Sequence, residues 1–190
     1  MHILLKDIIK EVEEKSPLKI QIYCDMDGVL VDMEKGFKEI SGGLSPKEYE
    51  TKNGKNSFWK VIAKKPTFWL DLEPIPDSKV LWSYIHNTFK NPQPVILSAG
   101  QGNNLKSQKT QWIRNHIDPS VQVIISTKGT EKPNYRINPQ DENILHVLVD
   151  DTPANITAWQ NSGKNCIAIL HKDAASSIEQ LKKVSTGTQQ

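Results

Sequence analysis

The chain has 190 residues, 37% apolar and 24% charged, with a formal net charge of +2. That length suits one domain with a modest insertion and leaves enough chain for a real core. The near-neutral balance argues against duplex nucleic acid or an anionic membrane as partner, and nothing approaches a transmembrane length, so the expectation is a cytoplasmic protein.

Leu4, Leu5, Ile8, Ile9 and Val12 recur at helical spacing with charges opposite. They predict an amphipathic helix ending before Ser16-Pro17 and packed on the main body, with partner binding as the alternative. Next comes a strand, Ile20–Cys24, running into Asp25-Met26-Asp27-Gly28. From Glu34 to about Glu73 the pattern is helical and aromatic with no clear strand, which reads as an insertion. Asp32 is placed to cap its first helix. Further strands are expected at Pro94–Ser98, Val121–Ile125, Ile144–Val149 and Cys166–Leu170. Helices are expected over Val80–Phe89, Leu105–His116, Thr152–Gly163 and Ala174–Val184, the third with Thr152 as N-cap, Pro153 first inside and Gly163 just past its end. A Ser/Thr/Gln tail follows. Apolar strands alternating with helices argue for a parallel sheet covered on both faces. The fold class is therefore α/β, a three-layer Rossmann-like sheet with a small helical cap. Residues 20–33 and 74–172 form the core, 34–73 the cap, 1–19 the N-terminal helix, and 173–190 the last helix and tail. Cys24 and Cys166 both sit in apolar runs and read as reduced core residues.

Open parallel sheets bind ligands at the carboxyl ends of their strands. Asp25 and Asp27 end the first strand, Ser98 the second, and Asp150-Asp151 the fourth. Four carboxylates meeting at one edge cannot all stay ionised without a cation. Oxygen donors with no His or Cys cluster suit Mg²⁺, which shares its shell with phosphate groups. A carboxylate can attack phosphorus to give an aspartyl-phosphate, and a second one two residues on can protonate the leaving oxygen and later activate water. Ser98 and a lysine would hold the phosphoryl oxygens. Taken singly, each signal has a plainer reading: Asp25 and Asp27 as a turn after a strand, Asp150-Asp151 as a helix cap, the aromatics as core, Asn155 and Trp159 as structural. The two acidic pairs at two strand ends are what favour a site.

DMDGVLVD, a strand ending in Ser98, a lysine and the late Asp150-Asp151 together resemble the haloacid dehalogenase superfamily of phosphatases. More narrowly, DMDGVLVDMEKGF, FWLDLEPIPDS, VILSAG, KTQWIRNH and LVDDTPANITAWQNSG are similar to the 5'(3')-deoxyribonucleotidase family and its phage and bacterial relatives. The resemblance implies Asp25 as nucleophile and Asp27 as general acid/base. Mg²⁺ would be held by Asp25, the carbonyl of Asp27, Asp150 and Asp151. Ser98 and Ala99 would lie at the phosphate, with Lys132 preferred over Lys128 as the phosphate lysine and Lys109 assisting phosphate or cap. The cap aromatics Phe37, Trp59, Phe68 and Trp69 would offer platforms for a nucleobase. The substrate implied is a small phosphate ester, a nucleoside monophosphate ahead of a phosphosugar. A fold kept without turnover is the alternative outside enzymes.

Overall fold

The computed structural model describes residues 18–102 and 104–187; the expected N-terminal helix lies outside them. Five strands form one sheet: β1 (Lys19–Cys24), β2 (Val95–Ala99), β3 (Val123–Ser126), β4 (Ile144–Asp150) and β5 (Cys166–Leu170). Their order is β3-β2-β1-β4-β5 and every pairing is parallel. The helices are α1 (Met33–Ser41), α2 (Pro46–Asn53), α3 (Ser57–Ile62), α4 (Ser78–Thr88), α5 (Leu105–His116), α6 (Pro153–Gln160) and α7 (Ala174–Gly187), with a 3₁₀ segment at Gly129–Tyr135. The fold is the three-layer α/β class the sequence predicts.

Alternation along the strands divides the core. Ile22, Cys24, Ile96, Val147 and Val149 face one layer, built from Leu81, Ile85, Trp112, Ile113 and Leu181 on α4, α5 and α7. Tyr23, Val95, Leu97 and Leu148 face the other, where Trp159 of α6 packs. Burying a large apolar side chain contributes about 1.5–3 kcal/mol, so both faces stabilise the sheet. Both cysteines are free and buried, and among the described residues no helix is long and apolar enough to cross a membrane.

Some boundaries differ from the sequence reading. β3 begins at Val123, where its ladder to β2 starts opposite Ile96. Val121 instead packs into the core outside the ladder. α6 stops at Gln160, short of Gly163, and the Thr152 side chain makes no cap hydrogen bond. Asp150 instead takes the N–H of Thr152 itself, at 2.9 Å.

The insertion leaves the core between β1 and α4 through two adjacent linkers. Val31 bridges Pro74, the Asp32 N–H donates to the Glu73 carbonyl at 2.9 Å, and Ile75 N–H donates to Leu30. Asp32 caps α1 by accepting from Lys35 N at 2.9 Å. A full capping box, Ser45 with Glu48, starts α2. The insertion's Phe37, Ile62, Phe68, Trp69 and Leu72 continue the larger core cluster.

Candidate active site

The register of β1 against β4 pairs Cys24 with Val149, so the next residues, Asp25 and Asp150, stand side by side. Asp25 is buried, with Oδ1 accepting from Met26 N at 2.7 Å. The Lys132 Nζ lies 2.9 Å from Asp25 Oδ2 and 2.5 Å from Asp150 Oδ2, and Lys132 is 1% exposed. Lys132 comes from the 3₁₀ segment, beside Pro133, and that short turn carries its stem under the sheet edge. Lys128, the other lysine considered, is exposed on the cleft wall and pairs with Glu131 at 3.3 Å.

Asp150 is fully enclosed. Besides Lys132 and the Thr152 N–H, the Asn155 amide donates to both its oxygens, at 3.0 and 3.2 Å. Asn155, read from sequence as structural, thus holds Asp150 in place and also lines the cleft. It sits in the first turn of α6 and reaches back five residues, a spacing that could have flagged it. Gly129 permits the approach, since a Cβ there would meet Asn155 Oδ1 at 2.3 Å. Gly28 does the same for Asp151: its φ is +74°, and a Cβ would lie 2.1 Å from Asp151 Oδ2.

Burial raises the Asp25 carboxyl to about 8, with Lys132 opposing and Asp150 and Asp27 adding to the rise. Asp151 opens to the cleft, yet the protein around it and the adjacent Asp150 lift its carboxyl to about 6. Lys132 is held above its usual range: burial opposes its charge, but Asp25 and Asp150 outweigh it. Perturbed groups gathered in a cleft make this sheet edge the candidate functional site.

Asp25, Asp150 and Asp151 each offer an oxygen within 4.8 Å of the others. This all-oxygen set, in which burial and neighbouring carboxylates raise Asp25 and Asp151, fits a hard divalent cation such as Mg²⁺. The Asp27 side chain is not in that group. Its Oδ2 is 2.5 Å from Lys109 Nζ, while its Oδ1 is buried with no hydrogen-bond partner. Lys109 is 0% exposed and also donates to Ser98 Oγ at 2.9 Å and the Ala99 carbonyl at 3.0 Å. Ser98 is likewise buried, and Ala99 forms the surface at that strand end.

Above these groups lies an open cleft of about 2010 Å³ between sheet edge and insertion. Trp59 and Trp69 line it, whereas Phe37 and Phe68 do not. Phe37 is packed edge-on between Tyr49 and Phe58, and Phe68 against Trp69, so both rings are spent on the insertion's own core. Lys47, Lys55 and Lys60 also line the cleft, without an ion-pair partner among the described residues. A smaller pocket, about 440 Å³, lies at the strands' opposite end around Trp82, His86 and Asp118, away from the acidic cluster.

No family model matches the chain, and no curated protein matches it. Solved structures do. A haloacid dehalogenase-like family hydrolase from Xanthomonas campestris superposes with a TM-score of 0.57 at 11% identity, over 91% of this chain and 95% of its own. A candidate beta-phosphoglucomutase from Bacteroides vulgatus gives 0.54 at 12% identity, over 97% and 96%. A candidate haloacid dehalogenase-like hydrolase from Burkholderia xenovorans gives 0.52 at 14% identity, over 90% and 89%. At these identities the likeness is one of architecture, and it shows that this chain has the haloacid dehalogenase-like fold, with its acidic cluster at the carboxyl edge of the sheet.

Proposed function

We propose that the protein is a Mg²⁺-dependent phosphomonoesterase acting on nucleoside monophosphates. The observation that carries this is the pairing of Asp25, at the cleft floor beside Lys132, with Asp27 two residues on, one oxygen held by Lys109 and the other free. Asp25 attacks phosphorus. A bond forms between its oxygen and phosphorus as the bond to the leaving oxygen breaks, and Asp27 gives that oxygen its proton. In the second step Asp27 takes a proton from water, which attacks the aspartyl-phosphate and releases phosphate. Lys132 would offset the charge that gathers on the phosphoryl oxygens, while Lys109 holds Asp27 and Ser98 beside them. Asp25, the Asp27 carbonyl, Asp150 and Asp151 would hold the metal, which when bound supplies positive charge against the carboxylates and the phosphoryl group.

The nucleotide rests on the cleft walls. Trp59 is half-buried, packs at a tilt against Phe58 and lines the cleft, a surface on which a base can lie, and base–aromatic stacking is worth roughly 1–3 kcal/mol per base. The free lysines at 47, 55 and 60 favour an anionic ligand. The test is phosphate release from a panel of nucleoside monophosphates and sugar phosphates, with Mg²⁺ or chelator, by wild type and Asp25→Asn. Metal-dependent turnover of nucleotides, lost in Asp25→Asn, is the expected result. Turnover of sugar phosphates alone would move the substrate to that class. Release from no ester would leave a binding protein.

A further inference from the structure

We infer that Trp69 is a positioning residue for the acid/base carboxylate, acting through Lys109, and not a platform for the substrate's base. The inference rests on the phosphomonoesterase reading above.

The Trp69 ring lies over the Lys109 ammonium, 4.2 Å from Nζ to the ring centroid. That ammonium is fully buried, and its polar contacts are Asp27 Oδ2, Ser98 Oγ and the Ala99 carbonyl. Trp69 thus closes the remaining side of a cation whose other contacts are the acid/base and the end of β2. A desolvated ammonium against an indole face is a strong form of this contact. The ring itself is 4% exposed, which leaves little face for a base.

Neighbouring contacts place the ring. Three residues on one face of α5 hold the cap segment 66–72: the Gln108 amide donates to the Pro66 carbonyl at 2.5 Å, Lys109 meets the Trp69 ring, and Trp112 Nε1 donates to the Leu72 carbonyl at 2.8 Å. Spacings of three and four residues put such side chains on one face of a helix. Phe68 and Trp59 brace Trp69 from the cap side, at ring separations of 5.0 and 6.3 Å. The cap segment is therefore docked directly on the residue that orients Asp27. Lys109 fixes Oδ2 and so sets how the partly exposed Asp27 carboxyl is turned toward the cleft.

A misoriented acid matters most for a leaving group that needs its proton. The test compares kcat on phenyl phosphate, the poorer leaving group, with kcat on 4-nitrophenyl phosphate, with Mg²⁺ present. Trp69→Leu should lower the first about tenfold more than the second, a fraction of the 10²–10⁴ that general acid catalysis supplies. Trp69→Phe, which keeps a ring face, should stay near the wild-type ratio. Lys109→Met should reproduce the Trp69→Leu ratio or exceed it, and it carries the test if Trp69→Leu does not fold. A purely structural tryptophan would depress both esters equally, and that result overturns the inference while leaving the phosphatase reading in place. No turnover of either ester by the wild type overturns both.

Discussion

Lys132→Met removes one charge from the most enclosed part of the site while keeping most of its volume. Its ammonium is the shared partner of Asp25 at 2.9 Å and Asp150 at 2.5 Å, all three groups being buried. Removing one member of a buried ion pair costs about 3–5 kcal/mol, because the other charge is left uncompensated. Thr152 and Asn155 still donate to Asp150, so the lower half of that range applies to it. Asp25 keeps only the Met26 N–H. For a domain this size each kcal/mol shifts Tm by about 2–4 °C, so the expected drop is about 6–20 °C. The pH dependence has a definite sign. Lys132 opposes the upward push on Asp25, so its loss drives that carboxyl higher still and the folded variant binds more protons than the folded wild type. The destabilisation must then grow as pH rises. Urea unfolding in chelator, at about pH 7 and pH 9 on either side of the Asp25 value of about 8, measures it. A loss under about 1 kcal/mol, or one equal at both pH values, would refute the reasoning, since neither fits a buried cation held between two carboxylates.

Three further outcomes are expected. In chelator, wild-type stability should fall as pH rises from about 5 to 8: Asp151 and Asp25, lifted to about 6 and about 8, favour folding while protonated and lose that contribution as they ionise. The Tm gain on adding Mg²⁺ should accordingly be larger at pH 8 than at pH 5, and a flat or opposite trend counts against the acidic cluster as the metal site. Gly28→Ala should cost about 1–3 kcal/mol from its positive φ alone, and the Cβ pressing on Asp151 should reduce the Mg²⁺-dependent Tm gain, read in the same melts. Lys55→Glu with Lys60→Glu should raise KM for a nucleoside monophosphate severalfold with kcat little changed, and an unchanged KM would remove the cleft lysines from substrate binding.

The strand ends were legible because two short-range rules agree there. Apolar β-branched runs mark strands, and a carboxylate directly after one can only sit at a sheet edge or be neutralised. Hence Asp25 and Asp150 could be placed together before their register, Cys24 opposite Val149, was known. The cap aromatics were not separable in the same way. Phe37, Trp59, Phe68 and Trp69 share composition and helical surroundings. Only packing determines that Phe37 is enclosed by Tyr49 and Phe58 while Trp59 reaches the cleft. Lys109 shows a second limit. Its polar neighbours in KTQW carry no sign of burial, so only the resemblance drew it toward phosphate or cap, and the helix turns that position toward β2 and the cap.

The two buried lysines also bear on what the site can hold. Both arise outside the sheet, one from α5 and one from the 3₁₀ segment, and each reaches a different carboxylate of the first strand end. Lys109 takes Asp27, and Lys132 is shared by Asp25 and Asp150, so Asp151 has no lysine against it. Two ammonium groups against the four carboxylates Asp25, Asp27, Asp150 and Asp151 leave two negative charges when all are ionised. Holding protons meets that deficit, and Asp25 and Asp151 are raised in that direction, by burial first and by the neighbouring carboxylates in addition. A divalent cation among Asp25, Asp150 and Asp151 would cancel the deficit and release those protons. Asp25, the nucleophile of the proposed reaction, would then be ionised at neutral pH, with Lys132 and the cation balancing Asp25, Asp150 and Asp151 while Lys109 balances Asp27.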